Sequence, residues 1–201
     1  MKTKRSYTMT TRAEQAEQTR QRILRAAFDL QTERLTTDIG LETIADRAGV
    51  SVQTVLRRFG SRAALFDATV AFANERVRDE RRTPVGDVPA AVRVIVEHYE
   101  QRGETALLML AQESTYAHVR QLAEAGKAMH RRWVEDVFEP QLATLTRAAR
   151  EELTDLLVVA TDVYTWKLLR RDRGHSRAQT EHRIESLVTA VLATTAARKE
   201  T

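Results

Sequence analysis

Gln53, Thr54, Arg57 and Arg58 crowd together in the stretch LETIADRAGVSVQTVLRRF, Leu41 to Phe59. An amide and a hydroxyl can hydrogen-bond base edges in a major groove, and a guanidinium can reach guanine N7 and O6 or a phosphate. Val52 and Leu56 lie between them and can meet thymine methyls or sugar carbons. Ser51 stands just ahead of this group and Gly49 two residues earlier, so the polar residues follow directly on a tight corner. Arg62, slightly further on, is a third cation suited to a phosphate. The mixture fits the reading of nucleic acid better than bond-making chemistry. The chain contains no GxGxxG, GxxxxGK[ST], HExxH or GxSxG. Its VEHYE and TEHR pairs set Glu beside His without the spacing of a metal-binding helix face, and it has no cysteine. No enzyme, no metal and no cofactor is therefore expected.

Reading heads of this kind need short helices to hold them. Ile23, Ala26, Ala27 and Leu30 fall at i, i+3, i+4 and i+7, one face of a helix beginning near Thr19. Leu41, Ile44, Ala45 and Ala48 repeat that spacing over about two turns, and Gly49 follows where a helix ends in a left-handed residue. Ser51 is a good N-cap for a third helix with Val55 and Phe59 on its inner face. Two short helices joined by a glycine-containing turn make a helix-turn-helix. Gly60 and Ser61 end the third helix and start a fourth, with Leu65, Thr69 and Phe72 inside.

Residues 1–18 lack periodicity and read as a flexible basic arm carrying Lys2, Lys4, Arg5 and Arg12. RTPVGDVP is the clearest linker, so the head spans 19–82, with the fourth helix, and the body spans 83–201. In the body, apolar periodicity predicts helices over 88–101, 104–111, 115–125, 127–138, 153–171 and 179–197, with no strand-like alternation. The fold class is all-α.

Charge agrees with this division. Residues 1–62 hold 12 Lys and Arg against 7 Asp and Glu, net +5, whereas the rest hold 20 against 21. The basic excess lies in the first third, which suggests an anionic partner for the head and a near-neutral role for the body. No apolar run follows the basic start, and ALLMLA and LLVVA fall far short of the roughly 20 residues of a bilayer span. A cytoplasmic protein without membrane partners is expected.

The runs ILRAAFDL and IADRAGVSVQTVLRRFGSRAALF resemble the N-terminal domain of the TetR family of one-component transcriptional repressors, over residues from about Thr19 to Phe72. The resemblance implies a homodimer on a palindromic operator in double-stranded DNA. Ser51, Val52, Gln53, Thr54, Leu56 and Arg58 would line its DNA-facing side, and Arg62 would replace a phosphate-binding lysine. Arg57 joins them from the residues alone. Three positions depart from the family pattern: Leu56 stands in place of a tyrosine that commonly touches phosphate, Gly40 in place of a capping Ser or Thr, and Arg34-Leu35 in place of a glycine.

The resemblance also implies that the body dimerises through its last two helices and binds a small-molecule effector that releases the repressor from its operator. ELTDLLVVATDVYTWKLL is apolar around most of its circumference, and Ile184, Leu187, Val188, Val191 and Leu192 form a stripe on the final helix. Met109, Tyr116, Met129, Trp133 and Trp166 are the candidate effector-pocket residues, with His98 and His130 adding polarity. The rival is a protein-interaction or ligand-sequestering module that has lost operator binding, which Leu56 permits and the arginines at 57, 58 and 62 oppose.

Overall fold

The computed structural model describes residues 4–33 and 39–197. Lys2, Arg34 and Leu35 lie outside them, as do the side chains of Lys4, Arg5 and Arg12. Among the described residues there is no strand, and the chain divides into two compact units, Met1–Val77 and Arg78–Thr201. The division falls slightly before the sequence-based boundary at 82/83.

In the first unit α1 (Lys4–Glu33) begins well before Thr19, so from Lys4 the expected arm is helical. The sequence carries no apolar stripe there, but it is rich in Ala, Glu, Gln and Arg, whose helix propensity favours the longer helix. Ile23, Ala26, Ala27 and Leu30 are buried as the spacing predicts, with Leu24 between them. They pack with Ile44, Ala45 and Ala48 of α2 (Leu41–Ala48), with Val55 of α3 (Val52–Phe59) and with Leu65 of α4 (Arg62–Glu80). Phe28 meets Phe72 edge to face at 6.1 Å between ring centroids.

The second unit holds α5 (Val88–Gln112), α6 (Ala117–Val137), a short α7 (Glu139–Leu142), α8 (Arg147–Ala160), α9 (Val163–Lys167), a π-helical turn at Leu168–Asp172, and α10 (Arg177–Ala197). Asp87 caps α5 by accepting from Ala90 N at 2.9 Å, next to a proline in the first turn where it is tolerated. Two pairs of expected helices are each one continuous helix. Gly103 and Gly126 weaken a helix by about 1 kcal/mol apiece but do not end it when long apolar flanks are packed. The expected helix over 153–171 is instead broken. Thr161 Oγ1 turns back to donate to Leu157 O at 2.7 Å, and Asp162 starts α9 by accepting from Tyr164 N at 2.8 Å. Leu153, Leu157, Trp166, Ile184, Val188, Phe138 and Ile95 form the centre of this unit's core.

Candidate nucleic-acid interface

Gly49 makes the corner. Its φ of 65° is left-handed, which only glycine adopts without strain, and the chain turns there through two bonds, Gly49 N to Asp46 O at 3.1 Å and Val50 N to Ala45 O at 3.0 Å. That pair is the Schellman termination. Ser51 then starts α3, its Oγ accepting from Thr54 N at 3.2 Å and lying 3.0 Å from Thr54 Oγ1. At the far end the Gly60 N–H bonds to Leu56 O at 2.7 Å, and Ser61 caps α4 by accepting from Ala64 N at 3.1 Å. Gly40 supplies α2 with no side-chain cap, as the sequence implies. The eight residues of α3 are thus defined at both ends by local bonds.

Val55 is buried, and Val52 and Phe59 pack partly against the head core. Ser51, Gln53, Leu56, Arg57 and Arg58 are exposed, while Thr54 is half-buried beside its cap partner. One helix therefore brings Gln53, Arg57 and Arg58 onto an open face, with Leu56 39% exposed among them. Val52 is half-buried, with part of its side chain packed against the head core. Arg62 is exposed too, but its Nη2 donates to Ile39 O at 3.1 Å and its guanidinium lies 4.7 Å from the Phe66 ring centroid. The misplaced cation at the start of α4 thus has a carbonyl and an aromatic face to hold it. A similar contact missed in the sequence sets Arg20 of α1 4.8 Å over Phe59. Nothing in the local spacing ties position 20 to position 59, so only packing reveals it.

The second unit treats the five pocket candidates unequally. Trp166 is fully buried with its indole N–H donating to Glu100 at 2.9 Å, and Trp133 is buried with its N–H on Arg81 O at 3.0 Å. Met109 and Met129 are half-buried, the former near Gly126, and Tyr116 is exposed at the start of α6. The two tryptophans are thus core residues, and Tyr116 stands apart from them at the surface. What does gather is polar. Arg81, His98, Tyr99, His130 and Thr161 are all buried together, with Trp133 stacked on His130 at 5.7 Å. Arg81 lies at the end of the charged run NERVRDERR, which reads as a solvated edge and gives no sign of burial.

Within that cluster Arg81 Nη1 lies 3.4 Å from His130 Nδ1. A guanidinium only donates, so Nδ1 accepts and the ring proton sits on Nε2, 3.2 Å from Thr161 Oγ1. Burial, with Arg81's charge adding to it, pushes His130 down to about 3. Burial likewise pushes His98 down to about 4, partly opposed by Glu80, whose Oε2 is 3.5 Å from Nδ1. Both imidazoles are neutral at physiological pH. Burial also lowers Arg81 and raises the Tyr99 hydroxyl, which donates to Thr161 O at 3.1 Å. Among the described residues no group of three or more His, Asp or Glu is arranged to hold a metal ion, and no helix is long and apolar enough to cross a membrane.

Several large apolar side chains remain exposed on the helices the sequence assigns to dimerisation: Leu156 and Val159 on α8, Tyr164 on α9, Leu168 on the π turn and Leu187 on α10. The expected stripe on α10 is divided. Ile184 and Val188 are buried in the core, Val191 and Leu192 pack partly against it, and Leu187 is outside.

The profile of "Bacterial regulatory proteins, tetR family" matches residues 23–69, the interval from the buried face of α1 into α4. Three solved structures share the fold. A tetR-family transcriptional regulator from Streptomyces coelicolor is 21% identical with a TM-score of 0.67, over 92% of this chain and 84% of that one. A transcriptional regulator from Rhodococcus sp. Rha1 is 17% identical with a TM-score of 0.62, over 87% and 96%. A TetR transcriptional regulator from Rhodococcus sp. RHA1 is 21% identical with a TM-score of 0.52, over 86% and 96%. No curated protein matches the chain. With its corner at Gly49 and its capped, outward-facing α3, the head of this chain is similar to the helix-turn-helix domain of the tetR family of bacterial regulatory proteins over residues 23–69.

Proposed function

We propose that the protein is a cytoplasmic, sequence-specific transcriptional repressor that binds a palindromic operator as a homodimer and is released by a small-molecule effector. The observation that carries this reading is the exposed face of α3, where Gln53, Arg57 and Arg58 stand clear of the core on a helix fixed by Ser51 and Gly60. Gln53 and Arg58 read base edges, Ser51, Thr54, Arg57 and Arg62 hold the backbone, and Val52 and Leu56 contact apolar base or sugar atoms. A homodimer places its two copies of α3 in successive major grooves about 34–36 Å apart. Its contact is made by α8 and α10, on which Leu156, Val159 and Leu187 are exposed.

The effector acts in the body and favours a dimer whose heads no longer match the groove spacing. Helix α4 is the covalent route, since it begins at Arg62 in the first unit and ends at Glu80 in the second. The test is selection of the purified protein against a random duplex library at near-physiological salt. Enrichment of a two-fold symmetric motif is the expected result. A folded sample that enriches none overturns operator binding. The exposed Leu56, where the resemblance calls for a phosphate-touching tyrosine, favours the second reading, a protein-interaction or ligand-sequestering module. A DNA binder loses affinity steeply as salt rises through counterion release, and a module held by apolar contacts does not.

A further inference from the structure

The polar cluster of the second unit contains a buried cation with no carboxylate at ion-pair distance among the described residues. Arg81 is only 8% exposed, and its Nε–H is buried with no hydrogen-bond acceptor among the described residues. Its other contacts are neutral: His130 Nδ1, the Tyr99 hydroxyl and the Tyr99 ring, whose centroid is 5.7 Å from the guanidinium carbon. The carboxylates near it are committed elsewhere. Glu80 receives two bonds from Arg102, Nε to Oε2 at 2.7 Å and Nη2 to Oε1 at 2.6 Å, and Asp162 caps α9. His98 Nδ1, in the same cluster, lies 3.5 Å from Glu80 Oε2. A guanidinium withdrawn from water is retained when an anion meets it, and one partnered by neutral groups carries an unbalanced desolvation cost.

We infer that Arg81 is the anchor of a binding site for a small organic monocarboxylate, the effector of the proposed regulator. Geometry selects the class. Glu80 is bonded to Arg102, and both Glu80 and Asp162 act on Arg81 only from beyond ion-pair distance. Each negative charge brought into this medium of low dielectric is costly, which favours a ligand with one charge over a phosphate dianion. The planar edge of the guanidinium matches a carboxylate, and Tyr99 and His130 flank it, with Trp133 stacked on His130. Arg81 directly follows Glu80, the last residue of α4. A ligand that draws on Arg81 therefore acts at the end of the helix that leads from the reading head.

This assignment rests on the effector-responsive reading of the body, and its test separates the two. The full-length chain is titrated by calorimetry with benzoate, phenylacetate, 4-phenylbutyrate and octanoate, each beside its primary amide. At least one acid is expected to bind on the order of tenfold tighter than its amide, the contribution of one charge-assisted contact. Arg81→Met is expected to bring that ratio close to one. If that variant does not fold, Arg81→Lys is expected to reduce the ratio, because its ammonium lacks the planar fork. The inference is overturned if no acid exceeds its amide, or if Arg81→Met keeps the preference. An Arg81-dependent preference that leaves DNA occupancy unchanged supports the carboxylate site and removes only the effector switch. Absence of a DNA motif removes only the operator reading.

Discussion

Gly103 and Trp166 share one space. A Cβ built on Gly103, in the middle of α5, would come within 2.4 Å of Cζ3 and 2.6 Å of Cη2 of the indole, which is fully buried and held at its N–H by Glu100. The ring cannot move aside without losing that bond and its packing on Tyr99, 5.9 Å away between centroids. Gly103→Ala gains up to about 1 kcal/mol of helix propensity. It is nonetheless expected to destabilise the second unit by roughly 1–2 kcal/mol net, since overpacking a filled core costs about 1–3 kcal/mol. Urea denaturation followed by tryptophan fluorescence measures it. An unchanged or raised midpoint would show that the indole has room to shift.

That same contact explains which parts of the fold were legible in the sequence. The head was readable because its logic is local: Gly49 needs a left-handed φ, Ser51 caps three residues ahead, and the buried faces repeat every three to four residues. The candidate recognition face follows from that spacing alone. Gly103 read as a break between two helices because the partner that makes glycine necessary is 63 residues further on. Arg81 was passed over for a related reason. A cation in a charged run looks solvated until helices distant in sequence close around it. Arg20 on Phe59 and Arg62 on Ile39 O are likewise products of tertiary packing, and periodicity carries no information about them.

Acid should weaken the second unit. In the unfolded chain both buried histidines titrate near 6.5, while in the folded unit His98 stays neutral to about 4 and His130 to about 3. Below pH 6.5 the unfolded state therefore binds more protons, and stability falls as pH is lowered. The loss continues until each folded value is reached. Its slope approaches about 1.4 kcal/mol per pH unit for each histidine. Urea melts between pH 7 and pH 5 should show the midpoint falling, and His130→Gln, which removes one of the two groups, should flatten the slope. A pH-independent midpoint over this range would mean that both rings take up protons in the folded protein as they do in the unfolded chain.

Arg58 is exposed on α3 and separates base reading from backbone attraction. As a bidentate base contact it contributes about 1–3 kcal/mol of discrimination. Arg58→Ala should therefore weaken a selected operator by that amount and random duplex much less, as read by fluorescence anisotropy on labelled duplexes. Equal losses on both sequences, with a shallower dependence on salt, would reassign Arg58 to a phosphate.

The exposed apolar residues of α8 and α10 make the dimer proposal quantitative. Val159 is 63% exposed and Leu187 41%, so replacing either with Glu removes little monomer packing. In an interface the same carboxylates must be desolvated without partners. The double variant Val159→Glu, Leu187→Glu should thus raise the dimer dissociation constant by roughly 2 kcal/mol or more while leaving the thermal midpoint of the monomer nearly unchanged. Sedimentation velocity over a concentration series gives the first quantity, and circular dichroism on dilute samples the second. A variant that dimerises like the wild type would move the contact away from these two helices. It would also remove the geometric link between the body and a two-fold operator.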